Sequence, residues 1–352
     1  MILDRRLEIL KFITKPQRGI EIAPYFNPLV PKRSGYDSLI VDVVDAEVLR
    51  AGARKDPLIP DSTIQLIEHV DIVGSASDLA DLVAADHPLG TFDYVVSSHN
   101  FEHLPDPIRF LRGCEAVLKP GGFVSMAVPD KRACFDYFRP VTSLAEWLAA
   151  FRERRQRPTH ASWFESRSLN ALFRRGTEMQ PGFSLADDPS GLVPDEVLDG
   201  AYATWNEREE SGDAEYHDTH CSVLTPASLR LMLTDLQFLR ILNLEIVEIS
   251  GVNWHEFYVH LRKPADPLPL MDRSDFYARR PGLLRCTIEE QAEGSSEMKR
   301  LRAIAAGFSS HPEPVVTVAD LDPRVSSSRS AAFRHWLRLV VAKSQRRPPT
   351  SA

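Results

Sequence analysis

The chain has 352 residues, of which 43% are hydrophobic and 26% charged, and its net charge is −7. This length is enough to bury one large core or two modest ones, and no run approaches the roughly 20 apolar residues that a membrane-spanning helix needs. The negative net charge argues against a general nucleic-acid binder, because such proteins neutralise phosphates with cationic side chains.

The cysteines and the first residues bear on the cellular compartment. The four cysteines are scattered and include no Cys-x-x-Cys pair, which argues against a disulfide scaffold or a thiolate zinc site. The first fifteen residues mix acids and bases among apolar positions and lack a small-residue cleavage site, which argues against a signal peptide. We therefore expect a cytoplasmic protein.

Short apolar runs alternate with helical patterns over the first 130 residues. The runs that predict strands are 19–23, 39–41, 70–73, 92–96 and 123–128. The patterns that predict helices between them are 45–54, 79–85 and 107–118. Because parallel strands need crossover connections, this alternation predicts a mostly parallel sheet with helices on both faces.

The alternation stops after residue 134 and returns near residue 225. Residues 135–215 are rich in Arg, Trp and Phe and in proline-containing loops, which predicts a helical and loop insertion. Thr225 and Pro226 are typical of an N-cap and a first helical position, and they begin a predicted helix. The apolar runs 244–249 and 257–261 then predict an antiparallel hairpin at the sheet edge.

The end of the chain is basic, although the whole chain is acidic. Seven basic residues and no acid follow residue 323, so the first 323 residues carry −14. Apolar side chains recur at helical spacing here: Phe333, Trp336, Leu337 and Val340. A basic amphipathic helix docks to an anionic membrane or an acidic protein, so residues 324–347 predict a peripheral association at the inner face of the membrane. The alternative is a terminal helix packed on the acidic body of the protein.

Residues suited to a nucleoside lie at the ends of four predicted strands. They are Glu21, Ile22, Ala23, Pro24 and Asn27 at the end of the first strand, Asp42 at the end of the second, Ser75 and Ala76 at the end of the third, and Ser98 and His99 at the end of the fourth. Ligands of open parallel sheets bind beyond the carboxyl ends of the strands, where these residues would meet. Taken singly, an acid after a strand is more often a turn residue or a helix cap.

Four segments resemble, in the same order along the chain, the motifs of class I S-adenosylmethionine-dependent methyltransferases. They are GIEIAPYFNP, LIVDVVD, FDYVVSSHNFEHLPDP and LKPGGFVSMAVPD. The resemblance implies a Rossmann-like, mostly parallel seven-stranded sheet that binds S-adenosylmethionine. It implies that Glu21 and Ala23 lie along the methionine part, that Asp42 binds the ribose, and that Ser75 or Ala76 borders the adenine. One departure is that Ala23 and Tyr25 occupy two glycine positions of the first motif. A nicotinamide enzyme is the rival interpretation, but the G-x-G-x-x-G fingerprint is absent.

The resemblance divides the chain by role. It implies a cofactor-binding core over residues 1–134, an acceptor-binding insertion over 135–215, the remainder of the core over 216–263, and a helical C-terminal extension with a basic tail over 264–352. The acceptor is a small molecule or a glycan, and no nucleic-acid partner is expected.

The segment from His99 to His103 matches H-x-x-E-H, a pattern of zinc hydrolases. The prolines that follow leave no long helix to display such ligands, so we regard that match as accidental. Within the methyltransferase resemblance, Glu102 and His103 lie beside the methyl group, where some relatives hold a divalent metal with carboxylates and histidines. His99 replaces an acid of that pattern, so a metal stays an open possibility. The alternative is that Glu102 and His103 only hydrogen-bond around the loop.

Two further clusters are candidates for acceptor chemistry. His217 and His220 precede the predicted helix at Thr225, and either could serve as base, metal ligand or acceptor contact. Lys131, Arg132 and Arg139 follow the fifth strand and could bind an anionic acceptor. The alternative for each is a solvated loop or an ordinary cationic surface.

The sequences of several segments, including AVPDKRACFDYFRP and THCSVLTPASL, resemble those of a bacterial methyltransferase subgroup. That subgroup is associated with surface-polysaccharide and glycan biosynthesis. That resemblance implies O-methylation of a sugar hydroxyl on a glycan or activated sugar. The alternatives are O- or N-methylation of a small secondary metabolite, and a non-catalytic binding or scaffold protein.

Overall fold

The computed structural model describes residues 4–57, 59–180, 182–295 and 298. Its strands are β1 Arg18–Ile22, β2 Asp37–Asp42, β3 Ile72–Val73, β4 Phe92–Ser98, β5 Leu118–Pro129, β6 Ala171–Arg175, β7 Glu178–Gln180, β8 Leu192–Pro194, β9 Glu245–Ile249 and β10 Glu256–Arg262. Its helices are α1 Arg5–Ile9, α2 Ala46–Ala53, α3 Asp61–Ile64, α4 Leu79–Ala84, α5 Pro107–Val117, α6 Leu144–Glu153, α7 His160–Ser168, α8 Leu198–Ser211, α9 Pro226–Phe238 and α10 Arg273–Glu293.

The central sheet has seven strands in the order β3-β2-β1-β4-β5-β10-β9. The first five in the chain are parallel, whereas β10 runs antiparallel to both of its neighbours. This arrangement confirms the predicted fold class, a Rossmann-like, mostly parallel seven-stranded sheet, including the hairpin with β9 at the edge. The strand order reverses between β1 and β4, so a ligand site is expected beyond their carboxyl ends.

Helices cover both faces of the sheet, as predicted. On one face the large core cluster joins the sheet to α4, α5 and α9, through residues such as Leu79, Leu111 and Leu233. On the other face α1 packs through Ile9 against Tyr94 and Tyr258. Burial of these apolar side chains fixes the helices on the sheet and so positions the loops at its carboxyl edge.

Helix α9 begins where the sequence predicts it. The Thr225 side chain accepts from the backbone N–H of Ser228, and Pro226 occupies the first turn. Pro has no backbone N–H to leave unsatisfied at that position. The loop before α9 is therefore held at a defined point, which matters for the site below.

The insertion after β5 contains a sheet that the sequence analysis did not predict. Strands β7, β6 and β8 form a three-stranded antiparallel sheet beside helices α6, α7 and α8. The alternation of buried Ala171 and Phe173 along β6 is the strand signal, and Phe173 stacks on Phe183. The expectation of helices and loops alone was wrong because these strands have only three to five residues.

The C-terminal extension contributes one long helix to the described part of the chain. Helix α10 confirms that the extension contains a helix, and Pro281 lies inside it. Across the described ranges, no helix is both long and apolar enough to cross a membrane. The predicted basic helix over 324–347 lies outside the described residues.

Candidate active site

A cleft of about 290 Å³ opens at the carboxyl edge of the sheet, between the ends of β1 and β4. Its lining consists of Arg5, Glu21, Ile22, Ala23, Pro24, Tyr25, Phe26, Asn27, Ser98 and His99. Seven of the ten residues predicted to bind the cofactor therefore line one cleft. Its position at the reversal of strand order is where ligands of this fold class bind.

Three non-glycine residues in this cleft have left-handed backbone conformations. The φ angles are 46° at Ala23, 49° at Tyr25 and 49° at His99. A side chain in this region costs about 1–2 kcal/mol per residue. The backbone thus keeps a glycine-like path at the two positions where Ala23 and Tyr25 replace glycine. Such strain concentrates at functional sites, where the surrounding structure enforces it.

Glu21 shapes the loop that closes this cleft. Its carboxylate is 2% exposed, and its two oxygens accept from the backbone N–H groups of Leu29 and Val30. Burial raises the pKa of Glu21 to about 7, although those two N–H groups lower it in part. Glu21 therefore ties the end of β1 to the loop eight residues later.

The other predicted cofactor residues lie on neighbouring strand ends. Asp42 ends β2 beside β1, and its backbone carbonyl accepts from Gly74, which brings the Ser75–Ala76 segment alongside. Burial raises the pKa of Asp42 to about 7, against the lowering effect of the Val43 and Val44 N–H groups. Ser75 accepts from the Ser77 N–H, and Ala76 is buried.

Arg5 lines the cleft, and the sequence analysis missed it. Its Nε atom donates to Glu256 at 2.7 Å, and its Nη2 atom donates to both Glu256 and Ser98. Its Nη1 atom has no partner among the described residues. An arginine in an N-terminal helix carries no signal of its own, because only folding brings α1 against β10.

Beside the cleft, one buried carboxylate faces three imidazoles. The Oε1 atom of Glu102 lies 3.7 Å from Nδ1 of His99, 3.8 Å from Nε2 of His103 and 3.9 Å from Nε2 of His220. Glu102 is 1% exposed, and neither of its oxygens has a hydrogen-bond partner among the described residues. A buried carboxylate without a hydrogen-bond partner lowers the stability of the folded protein. Its presence here therefore favours a functional role.

Each of the three imidazoles is oriented by a second carboxylate. His99 Nε2 lies 2.7 Å from Glu256, His103 Nδ1 lies 3.1 Å from Asp218, and His220 Nδ1 contacts Asp136. In each ring, the nitrogen that does not contact this second carboxylate is the one that points toward Glu102. Carboxylate–histidine pairs of this kind fix the ring orientation and the tautomer of metal-binding histidines.

The charged groups of this cluster shift the pKa values of the residues in and around it. Burial alone would lower the pKa of His103, but Asp218, Glu102 and Asp136 outweigh it and raise the pKa to about 9. Burial would raise the pKa of Asp136, but His220 and Arg139 hold it below its usual range. Burial would also raise the pKa of Glu256, but the contacts with His99 and Arg5 outweigh it and lower that pKa to about 2.

Backbone contacts bring His220 to Glu102 across more than a hundred residues. The Glu102 carbonyl accepts from the N–H groups of Cys221 and Ser222, and Arg139 Nη2 donates to the His220 carbonyl at 3.0 Å. The loop before α9 is thereby held against the short turn that carries Glu102 and His103. The sequence indicates a role in acceptor chemistry for both segments, but it does not predict their contact.

Four further residues singled out from the sequence have their side-chain partners elsewhere in the structure. His217 pairs with Asp213 in a separate cluster with Glu215, and the structure does not bring it to Glu102. Arg132 is occupied by the buried Asp130, and Arg139 by Asp136 and Glu165. Lys131 is buried and donates to the Tyr137 carbonyl. These three cations stabilise the protein interior, because burial of an arginine or lysine requires a partner.

The cluster is suited to a divalent cation. One coordinating atom from each of Glu102, His103 and His220 lies within 4.8 Å of the others. Separations of 3.7–3.9 Å exceed a hydrogen bond, but ligands of one ion with bonds of about 2.1 Å can lie up to about 4.2 Å apart. The unpartnered oxygens of Glu102 are the observation that favours this fit.

Residues 16–176 match the family described as a methyltransferase domain. This stretch contains β1 to β6 and therefore the cleft lining from Glu21 to His99, as well as Glu102 and His103. It does not extend to His220 or Glu256.

Curated relatives match shorter parts of the chain. The ubiquinone biosynthesis O-methyltransferase of Xanthomonas campestris pv. campestris is 46% identical over 59 residues, which cover 17% of this chain and 23% of the relative. The enzyme of the same name from Albidiferax ferrireducens is 28% identical over 142 residues, which cover 33% of this chain and 56% of the relative. The chain thus spans between about a quarter and just over half of the length of these relatives.

Solved structures show a distant likeness. A SAM-dependent methyltransferase from Methanosarcina mazei is 15% identical with a TM-score of 0.36, covering 76% of this chain and 100% of that one. An S-adenosylmethionine-dependent methyltransferase from Mesorhizobium loti is 13% identical with a TM-score of 0.37, covering 72% and 95%. Likenesses at this distance carry no information about substrates.

Proposed function

We propose that this chain, whose residues 16–176 match the family described as a methyltransferase domain, is an S-adenosylmethionine-dependent O-methyltransferase. The observation that carries the proposal is the buried Glu102 carboxylate among three imidazoles beside the cleft. Methyl transfer from a sulfonium is an in-line displacement, and an amine acceptor needs little beyond alignment. A hydroxyl acceptor must also lose its proton, which requires a base or a cation at the site. The Glu102 cluster supplies such groups.

The cleft supports cofactor binding through its own groups. Arg5 has N–H groups on Nη1 that have no partner among the described residues, and they suit the carboxylate of the methionine part. Asp42 at the end of β2 suits the ribose hydroxyls, because a carboxylate accepts two hydrogen bonds from a diol. The enforced backbone at Ala23 and Tyr25 keeps the loop where a ligand can approach the main chain closely.

The Glu102 cluster acts on the acceptor side of the reaction. Glu102, His103 and His220 are the residues that would hold a divalent cation, and such a cation lowers the pKa of a hydroxyl bound beside it. Asp218 and Asp136 keep the rings of His103 and His220 turned toward Glu102. Without a cation, the group that would receive the proton of the acceptor hydroxyl is the Glu102 carboxylate, whose two oxygens have no hydrogen-bond partner among the described residues.

For the acceptor we propose a sugar hydroxyl on a glycan or an activated sugar. Some of the buried polar atoms without a hydrogen-bond partner among the described residues belong to the cluster or to residues close to it in the chain: Asn100 Oδ1, Thr219 Oγ1 and both oxygens of Glu102. A polyhydroxylated acceptor would satisfy such groups, whereas an apolar one would leave them unpaired. The relatives are named for ubiquinone biosynthesis, so the experiment also includes phenols.

The test is transfer of labelled methyl from S-adenosylmethionine to three panels: sugars and nucleotide sugars, dihydroxybenzoates and related phenols, and small amines. We expect transfer to a sugar hydroxyl. Transfer to phenols alone would refute the sugar proposal, and transfer to amines alone would refute O-methylation. Absence of S-adenosylhomocysteine binding by calorimetry would refute the methyltransferase itself and favour a scaffold protein.

The Glu102→Gln variant tests whether the Glu102 carboxylate takes part in methyl transfer. Glu102→Gln keeps the shape of the side chain and removes its charge, so kcat should fall at least about 100-fold, while affinity for S-adenosylhomocysteine stays within about threefold. The matched control is Glu248→Gln on β9, whose carboxylate pairs with Lys11 at the surface. Equal activity of Glu102→Gln and the control would contradict this assignment.

A further inference from the structure

An exposed run of arginines lies at the end of α6. Residues 152–157, which we call the arginine segment, contain four arginines and one acid, whereas the whole chain carries −7. The residues Arg152, Arg154 and Arg157 are exposed. The three cations that the sequence associates with an anionic acceptor are instead buried inside the protein. The arginine segment is therefore a separate source of positive charge.

Most of the charge of the arginine segment is not neutralised by the protein. Its one acid, Glu153, pairs with Arg155 at 2.5 Å. The guanidinium groups of Arg152 and Arg154 have no hydrogen-bond or ion-pair partner among the described residues. Arg112 of α5 is also exposed, and it packs over an aromatic ring of α6. Like charges on one surface repel each other, and a bound anion relieves that repulsion.

Arg109 attaches the arginine segment to both ends of the candidate site. Its Nη2 atom donates to the Arg155 carbonyl at 3.3 Å, its Nη1 atom lies 3.0 Å from Asp78, and its Nε atom lies 3.5 Å from Asp106. Asp78 belongs to the turn that is predicted to border the adenine. Asp106 follows the turn that carries Glu102. The segment therefore adjoins both the cofactor end and the acceptor end of the site.

Two further contacts place the segment beside the acceptor end. Burial raises the pKa of Asp106, and the charges of Arg109 and Arg154 lower it in part, so Arg154 lies within electrostatic range of that turn. Arg157 donates from Nη1 to the Ala214 carbonyl, in the loop that leads to His220. The segment thus spans from the start of α5 to the loop before α9.

A guanidinium binds phosphate through two parallel N–H bonds, and arginine is the residue that phosphate recognition uses most readily. An activated sugar carries its sugar ring and its diphosphate in one small molecule, so it can reach both the Glu102 cluster and the arginine segment. We propose that the arginine segment binds the diphosphate of a nucleoside-diphosphate sugar and that this molecule presents the acceptor hydroxyl. This rests on the proposed function, to which it adds the charge of the acceptor.

Stabilisation of α6 is the rival explanation for these arginines. Cations in the last turn of a helix interact favourably with its dipole, and Arg152 lies in that turn. That effect does not account for Arg154, which ends α6 with a φ of 52°, a conformation in which glycine is preferred. Nor does it account for Arg157, which lies beyond the helix. A structural role alone predicts a loss of stability and no loss of affinity.

The first test is calorimetry on the full chain with UDP-glucose and with glucose. We expect UDP-glucose to bind at least about tenfold more tightly, because its phosphates accept charge-assisted hydrogen bonds. An increase of NaCl from about 0.05 M to about 0.5 M should weaken UDP-glucose binding at least about threefold, since exposed charges are screened. Equal affinity for the two sugars overturns the proposal. Binding to phosphatidylglycerol vesicles without binding of UDP-glucose assigns the segment to a lipid surface and also overturns it.

Variants locate the charge. Substitution of both Arg152→Gln and Arg154→Gln should weaken UDP-glucose binding at least about tenfold and remove most of its dependence on salt. The matched control is Arg279→Gln with Arg285→Gln, which removes the same charge from two exposed residues of α10. It should change the affinity less than about twofold. Equal effects of the two double variants, or a loss of stability at 152 and 154 with unchanged affinity, overturn the proposal.

Methyl transfer and cofactor binding separate this proposal from the proposed function. If S-adenosylhomocysteine binds and free sugars are methylated as efficiently as UDP-glucose, the inference fails and the proposed methyltransferase stands. If UDP-glucose binds with the expected dependence on the segment but S-adenosylhomocysteine does not bind, the diphosphate site stands and the proposed function fails.

Discussion

The Nε2 atom of His99 lies 2.7 Å from the Oε2 atom of Glu256, 157 residues later in the chain. The same carboxylate accepts from Arg5, so the end of β4, the start of β10 and helix α1 meet at one buried acid. Arg5 lines the cleft, and His99 faces Glu102. Glu256 therefore joins the cleft to the imidazole cluster through direct contacts.

We expect Glu256→Gln to affect both stability and the site. Removal of a buried charge from its partners should lower the free energy of unfolding by on the order of 2–3 kcal/mol, less than for a fully buried pair because Arg5 is 35% exposed. Affinity for S-adenosylhomocysteine should also fall, since Arg5 loses its orientation. Urea unfolding and calorimetry measure the two effects. Glu248→Gln, with both partners exposed, should change stability by less than about 1 kcal/mol.

Replacement of Ala23 by glycine should not destabilise the protein. Relief of the left-handed strain, about 1–2 kcal/mol, outweighs the entropy that glycine adds to the unfolded chain, about 0.5–1 kcal/mol. Ala23→Gly should thus raise the free energy of unfolding by up to about 1 kcal/mol. The control Ala149→Gly, inside α6, should lower it by about 1 kcal/mol. A loss at position 23 similar to that at position 149 would contradict the strain argument.

Asp42 should make stability depend on pH. Its pKa of about 7 in the folded protein lies above its ordinary value of 3.8. Its contribution to stability is therefore fully present below about pH 4 and is lost as pH rises through about 7. Relative to the wild type, Asp42→Asn should be more stable at pH 8 than at pH 5, by about 1–3 kcal/mol. Urea unfolding at the two pH values measures this, and an equal difference at both would refute the shift.

The same carboxylate should govern cofactor affinity in the opposite direction. An ionised Asp42 is the stronger acceptor for ribose hydroxyls, so affinity for S-adenosylhomocysteine should increase as pH rises through about 7. Asp42→Asn should bind more weakly at pH 8 and lose part of this dependence. Calorimetry on both proteins at pH 6 and 8 is the measurement.

Arg132 should act through stability and not through the acceptor. Its guanidinium pairs with the fully buried Asp130 and donates to the Glu290 carbonyl of α10. Arg132→Met leaves that charge unpaired and should lower the free energy of unfolding by about 3–5 kcal/mol. In the fraction that folds, KM for the acceptor should stay unchanged. Arg280→Met, at a more exposed pair with Asp235, should cost about 1 kcal/mol.

The sequence alone determined the architecture, because the information is local. Apolar runs of strand length alternate with helical spacing, and caps such as Thr225 mark where helices begin. The same local pattern placed Glu21, Ala23 and Asn27 in one cleft, since carboxyl ends of parallel strands meet at one edge. The short strands of the insertion were missed because three residues carry too little periodicity.

The partners at the site were decided only by the tertiary structure. Arg5, Asp136, Asp218 and Glu256 each lie far along the chain from the imidazole or carboxylate that they contact, and no spacing rule links them. The sequence could not rank His220 above His217, because both are histidines of one polar loop. Contacts from Glu102 to the loop before α9 turned one ring toward the carboxylate and left the other paired with Asp213. Side-chain direction in a loop follows from packing between distant segments, which local sequence does not encode.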